Sequence, residues 1–154
     1  MKSIQKVFHM TDEVWDKHSN PWSVWTRFAS LPFLIAAFWS IHYIGKYSLI
    51  PILLAMIWLW LNPRLFSKPS SQESWASKAV LGEKVWINHK DSNLKEKHSF
   101  VIKFTSSLAF LGLVFLIRGI IIEDITMTIL STIILYTGKM WFLDRMVWVY
   151  EDYR

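Results

Sequence analysis

The chain has 154 residues, of which 53% are hydrophobic and 19% charged, against about 25% charged in average soluble chains. Its charges gather in blocks between long stretches that have almost none, which excludes an ordinary soluble domain. The net charge of +5 sits mostly in segments flanking the apolar runs, so nucleic acid is not an expected partner, and the absence of Cys excludes disulfides and thiolate metal sites.

Residues 1–27 carry acidic and basic side chains before any long apolar run, unlike the early apolar core of a cleavable signal peptide. Thr11 is placed to cap a short helix, with Asp12 and Glu13 in its first turn, where the helix dipole favours them. In Asn20-Pro21-Trp22 the Asn caps and the Pro opens the next helix. Two apolar spans follow, at about 28–44 and 47–61, meeting across Gly45 and Lys46. The second is short for a crossing, since a helix needs about 20 residues to cross the hydrocarbon core. It has no polar face, as a buried helix of a soluble bundle would have. Asn62-Pro63-Arg64 is read as its end, because the residue before Pro avoids helical geometry.

The stretch 70–87 is expected to form a helix with Ser70 and Glu73 as a capping box. Trp75, Ala79, Gly82 and Trp86 share one face, suited to the membrane surface or to packing on the bundle. The polar stretch 88–98 reads as a loop. Two further spans, at about 104–122 and 125–143, meet across Glu123 and Asp124.

The fold class expected is all-α: a single polytopic membrane domain of about four transmembrane helices in two hairpins. Its parts are an N-terminal segment 1–27, a hairpin 28–61, a loop 62–103 with an interfacial helix 70–87, a hairpin 104–143 and a tail 144–154. Fifteen of the seventeen Lys and Arg lie in the N-terminal segment, the long loop and the C-terminal end, and only Lys46 and Arg118 lie near the hairpin tips. This asymmetry puts both termini and the long loop in the cytoplasm. The ten Trp suit the membrane–water boundary.

Chemistry-bearing residues gather at that cytoplasmic rim. His18, Asn20, Arg27, Asn62, Arg64, Glu83 and Asp144 are the candidates for one polar pocket, in which Asp144 would pair with Arg27 or Arg64. Arg27, Arg64 and Lys78 are the candidates for lipid head groups. Asp12, Asp16, His18, Glu83 and His98 lack the tight spacing of a metal motif, so no metal is expected. No phosphate-cradling loop, nucleophile elbow or dinucleotide fingerprint occurs. No span holds a deep central charge of the kind that marks a transport pathway.

Three blocks carry a resemblance. Asn20-Pro21-Trp22-Ser23-Val24-Trp25-Thr26-Arg27, preceded by Asp12, Trp15 and His18, resembles the opening of an uncharacterised family of small prokaryotic membrane proteins. Asn62-Pro63-Arg64-Leu65-Phe66 and Trp75-Ala76-Ser77-Lys78-Ala79-Val80-Leu81-Gly82-Glu83 resemble its second and third blocks. The resemblance implies a prokaryotic cell membrane and brings no catalytic residue or cofactor. Two readings stand. One is a structural or interaction protein that engages membrane lipids, with a homo-oligomer possible. The other is a membrane enzyme or small-ligand protein with its polar site at the rim.

Overall fold

The computed structural model describes residues 11–88 and 92–154. Every regular element among them is helical. The helices are α1 (Asp12–His18), α2 (Pro21–Trp39), α3 (Ile41–Ile44), a 3-10 turn (Gly45–Ser48), α4 (Leu49–Leu65), α5 (Trp75–Asn88), α6 (Ser92–Ile121) and α7 (Ile125–Tyr153). Residues 1–10 of the expected N-terminal segment lie outside the described residues.

Three stretches are long and apolar enough to cross a membrane: Pro21–Leu65, Asn93–Ile121 and Ile125–Tyr153. Of the most apolar window of the first, only 6% is buried. Leu49, Ile50, Leu53 and Leu54 are all more than half exposed, a surface that water would not tolerate. Meanwhile Ser19, Ser23, Asn62, Ser77 and Thr105 are fully buried. Apolar outside and polar inside is the distribution a lipid solvent selects, because lipid offers buried polar groups no partners.

Local chemistry sets the helix starts. The Thr11 hydroxyl accepts from Val14 N–H at 3.3 Å, as expected for its cap. Asn20 Oδ1 accepts from Trp22 N–H at 3.0 Å, with Pro21 opening α2. Other starts and ends differ from expectation. Helix α5 begins at Trp75, not at 70, and Ser74 rather than Ser70 supplies the cap: its hydroxyl accepts from Ser77 N–H at 3.1 Å. Helix α4 does not stop at Asn62 but runs through Pro63 to Leu65. In this last turn the Arg64 guanidinium donates to the Trp60 carbonyl and lies over the Trp60 ring, 4.2 Å from its centre. The polar stretch expected as a loop is helical from residue 92, and the tail is helical to Tyr153. At 30 residues α6 is about 45 Å long, enough to cross the headgroup layers as well as the hydrocarbon core.

Helices α6 and α7 run past each other in opposite directions. Gly112 lies against Leu135, Gly138 against Ala109, and Gly119 against Thr128. Helix α5 lies across one end of the pair and packs on it. Its Ala79 joins Leu94 and Ile102 of α6 and Phe142, Met146 and Val149 of α7 in one buried cluster. A second cluster ties Trp15 and Val24 to Ala76 and Val80. Trp25 stacks on Trp75 with ring centres 5.7 Å apart. Ion pairs fasten α1: Asp12 to Lys84 at 2.7 Å and Asp16 to Lys68 at 2.9 Å.

Candidate functional site

Five elements bring side chains together where α1, α2 and the end of α4 meet. Helix α1 ends on His18, buried beside Trp15. One short turn later α2 presents Ser23, Thr26 and Arg27. Helix α4 returns alongside and delivers Asn62, which is fully buried. Glu83 comes from α5 and Lys139 from α7.

Arg27, His18, Ser23, Asn62 and Thr26 form a chain of hydrogen bonds whose direction is set at both ends. Arg27 can only donate, and its Nη1 lies 3.0 Å from His18 Nε2. His18 Nε2 therefore accepts, and the neutral ring carries its proton on Nδ1. That proton goes to Ser23 Oγ at 3.0 Å. Ser23 donates to Asn62 Oδ1 at 2.9 Å, and Asn62 Nδ2 donates to Thr26 Oγ1 at 2.7 Å. Thr26 donates to the Trp22 carbonyl at 2.6 Å, which can only accept. No link can reverse without setting two donors or two acceptors face to face.

Burial first, then the positive charges of Arg27 and Lys139, push His18 from 6.5 down to about 3. The unfolded chain binds a proton below about 6.5 that the folded chain refuses until about 3. The docking of α1 is thus fully supported above 6.5 and weakens as pH falls, by about 1.4 kcal/mol per unit. We expect a change from pH 7 to pH 5 to remove about 2 kcal/mol, read by amide exchange in α1. Nitrogen NMR of the His18 ring should show the Nδ1-protonated neutral tautomer throughout. An imidazolium at pH 5 would refute this arrangement.

The other expected site residues divide. Arg64 and Glu83 lie within electrostatic reach of the Arg27 guanidinium. Lys139, which is outside the expected set, holds its ammonium 4.7 Å from the Phe142 ring centre. Asn20 stands apart: its Nδ2 donates to the Ser67 carbonyl at 2.9 Å, tying the 66–74 segment to the start of α2. Asp144, expected beside Arg27 or Arg64, accepts from Trp75 Nε1 at 3.1 Å. Lys78 lies between Glu151 at 2.6 Å and Glu73 at 3.1 Å. Hydrogen bonds from Lys78 and Arg154 hold the Glu73 carboxyl below its usual range. Among the described residues no group of three or more His, Asp or Glu is placed to hold a metal ion. Ser23 and Thr26 were missed as site residues. Their signal was present: two hydroxyls three apart, on one face of an otherwise aromatic helix start.

The fold and these groups define an all-helical protein with three stretches able to cross a membrane and a buried polar chain at one end of them. The chain belongs to DUF6653, a family of unknown function, matched over residues 2–154. No curated protein and no solved structure matches it.

Proposed function

We propose that this is a four-span protein of the prokaryotic cell membrane that holds the anionic head group of a phospholipid at its cytoplasmic rim. The span count rests on length. As one straight helix the 45 residues of Pro21–Leu65 would reach about 68 Å, twice the hydrocarbon core. Asn62 instead meets Ser23 and Thr26, so α4 returns beside α2 as a hairpin. Helices α6 and α7 form the second hairpin. The distribution of Lys and Arg orients both, with the two termini and the 62–103 loop in the cytoplasm.

One observation carries the ligand. Arg27 is packed on a neutral histidine, with Arg64 in electrostatic reach and Glu83 as the carboxylate acting on it. Lys139 acts on the same histidine. Two half-buried arginines against one carboxylate, with the exposed Lys139 acting on the adjoining histidine, favour an anion at this place. Lys78 is not part of this site, because two carboxylates already engage it. The hydrogen-bond directions favour holding over chemistry. The lone pair of His18 accepts from Arg27, and the proton of Ser23 goes to Asn62, so neither serves as base or nucleophile.

The test is lipid retention by native mass spectrometry after extraction from vesicles that contain phosphatidylglycerol. Arg27→Gln and Arg64→Gln should each lower retention about tenfold to a hundredfold, as for a lost charged hydrogen bond. Lys78→Gln should leave it unchanged. Equal retention in all three variants would defeat the proposal.

A further inference from the structure

A second polar junction lies at the other end of the helices, where nothing in the proposed lipid site reaches. His42 stands on α3, and its ring faces the end of α6. Nε2 lies 2.8 Å from the Ile120 carbonyl, and Nδ1 lies 3.1 Å from Glu123 Oε1. The Trp39 ring meets His42 edge-on, with centres 5.5 Å apart. Both nitrogens of one imidazole thus face acceptors. A neutral ring has one N–H. Either tautomer satisfies one partner and turns a lone pair on the other. Both bonds form together only when one more proton is present, as an imidazolium beside a carboxylate or a neutral ring beside a carboxylic acid.

The backbone at Glu123 adds an independent observation. The Asp124 N–H bonds the Gly119 carbonyl at 2.9 Å, and the Glu123 N–H bonds the Ile120 carbonyl at 3.3 Å. This is the Schellman ending of a helix, whose left-handed position normally belongs to Gly. Here Glu occupies it with φ +58°. An L side chain costs about 1 kcal/mol there. A strained residue at that point gains a purpose if its carboxyl is needed, and the group it meets is His42.

We infer that His42 and Glu123 hold a shared proton that latches α3 to the end of α6, and that the latch releases when this proton leaves. Within five residues of His42 or Glu123 the other charged and titratable groups are Tyr43, Lys46, Tyr47, Arg118 and Asp124, and the remaining ones of α6 lie at its opposite end. The Lys46 ammonium lies 5.6 Å from the Tyr47 ring centre. Asp124 Oδ1 already accepts from Met127 N–H at 2.8 Å. In the released state a carboxylate and an imidazole lone pair confront each other, and the two helix pairs part at this end. Protonation at this face then sets how tightly the two pairs are held together there. A proton supplied from that side of the membrane is the ligand of the junction.

The chain has no Cys, so two introduced thiols report cleanly. Spin labels on Tyr47→Cys and Ile121→Cys, both at exposed positions, place one probe on each helix pair. In reconstituted full-length protein the ratio of short to long distances should fall about two- to fivefold from about pH 5 to about pH 9, the scale of a partly exposed pair. Glu123→Gln should keep the short distance at every pH, because the amide donates to Nδ1 while Nε2–H still donates to Ile120. Glu123→Gly relieves the backbone and removes the carboxyl, so its distance distribution should lose its dependence on pH. An unchanged distance across that range in the parent chain, or the same pH dependence in Glu123→Gln, would overturn the inference.

Discussion

Replacing Gly82 with Ala is expected to destabilise the docking of α5 on α7 by about 3 kcal/mol or more. A Cβ built at Gly82 falls 1.9 Å from the Met146 carbonyl oxygen and 2.7 Å from its carbon. Both are backbone atoms, so no rotamer change relieves the overlap. One helix must move, and Met146 and Val149 beside the contact are fully buried. The displacement should reach the proposed lipid site as well. Glu83 follows Gly82, and it is the carboxylate that acts on Arg27. Thermal unfolding in detergent should show the loss, and lipid retention should fall with it. A Gly82→Ala chain as stable as the parent would mean that α5 does not sit on α7 as described.

Replacing Asn62 with Ala should cost about 2–4 kcal/mol, with the loss reaching beyond the residue itself. Asn62 accepts from Ser23 and donates to Thr26. Without it the Ser23 hydroxyl has no acceptor at that side. Turning the hydroxyl toward His18 would push the ring proton onto Nε2, against the Arg27 donor. The defect therefore travels to Arg27. A double-mutant cycle of Asn62→Ala with Ser23→Ala should show a coupling of about 1 kcal/mol or more, since the two residues share one bond in one chain. Full additivity would argue that the chain of bonds contributes nothing as a unit. Lipid retention gives a second readout: Asn62→Ala should lower it through Arg27, without any contact of its own to the head group.

Much of the local structure was legible. Thr11 and Asn20 were readable as caps because their oxygens act on N–H groups two or three residues away. The apolar stretches stood out by composition alone, and membership in a membrane class followed. Boundaries were less legible. Ser70 and Ser74 both offer a hydroxyl, and only the fold of the 66–74 segment selects Ser74. Pro63 suggested an end to α4, because a proline removes a hydrogen bond and crowds the carbonyl four residues back, yet packing of Asn62 against α2 carries the helix two residues further, to Leu65. The polar residues 92–98 read as loop because they lack an apolar stripe. His98 is nevertheless buried against α7, where its Nε2 meets Asp152 Oδ2 at 2.7 Å.

The site divides the same way. Residue type and position marked the end of the helices where His18, Arg27, Asn62 and Arg64 gather. They could not say which of these meet. The expected pairing of Asp144 with an arginine was plausible by depth, but helix rotation points Asp144 at Trp75. What the sequence by itself determined is the class: long uncharged runs give helices long and apolar enough to cross a membrane. What only the tertiary structure decided is the direction of the bonds, because a donor and an acceptor find each other through helix rotation and register. Those two quantities depend on how α1, α2, α4 and α5 pack, and no local pattern encodes them.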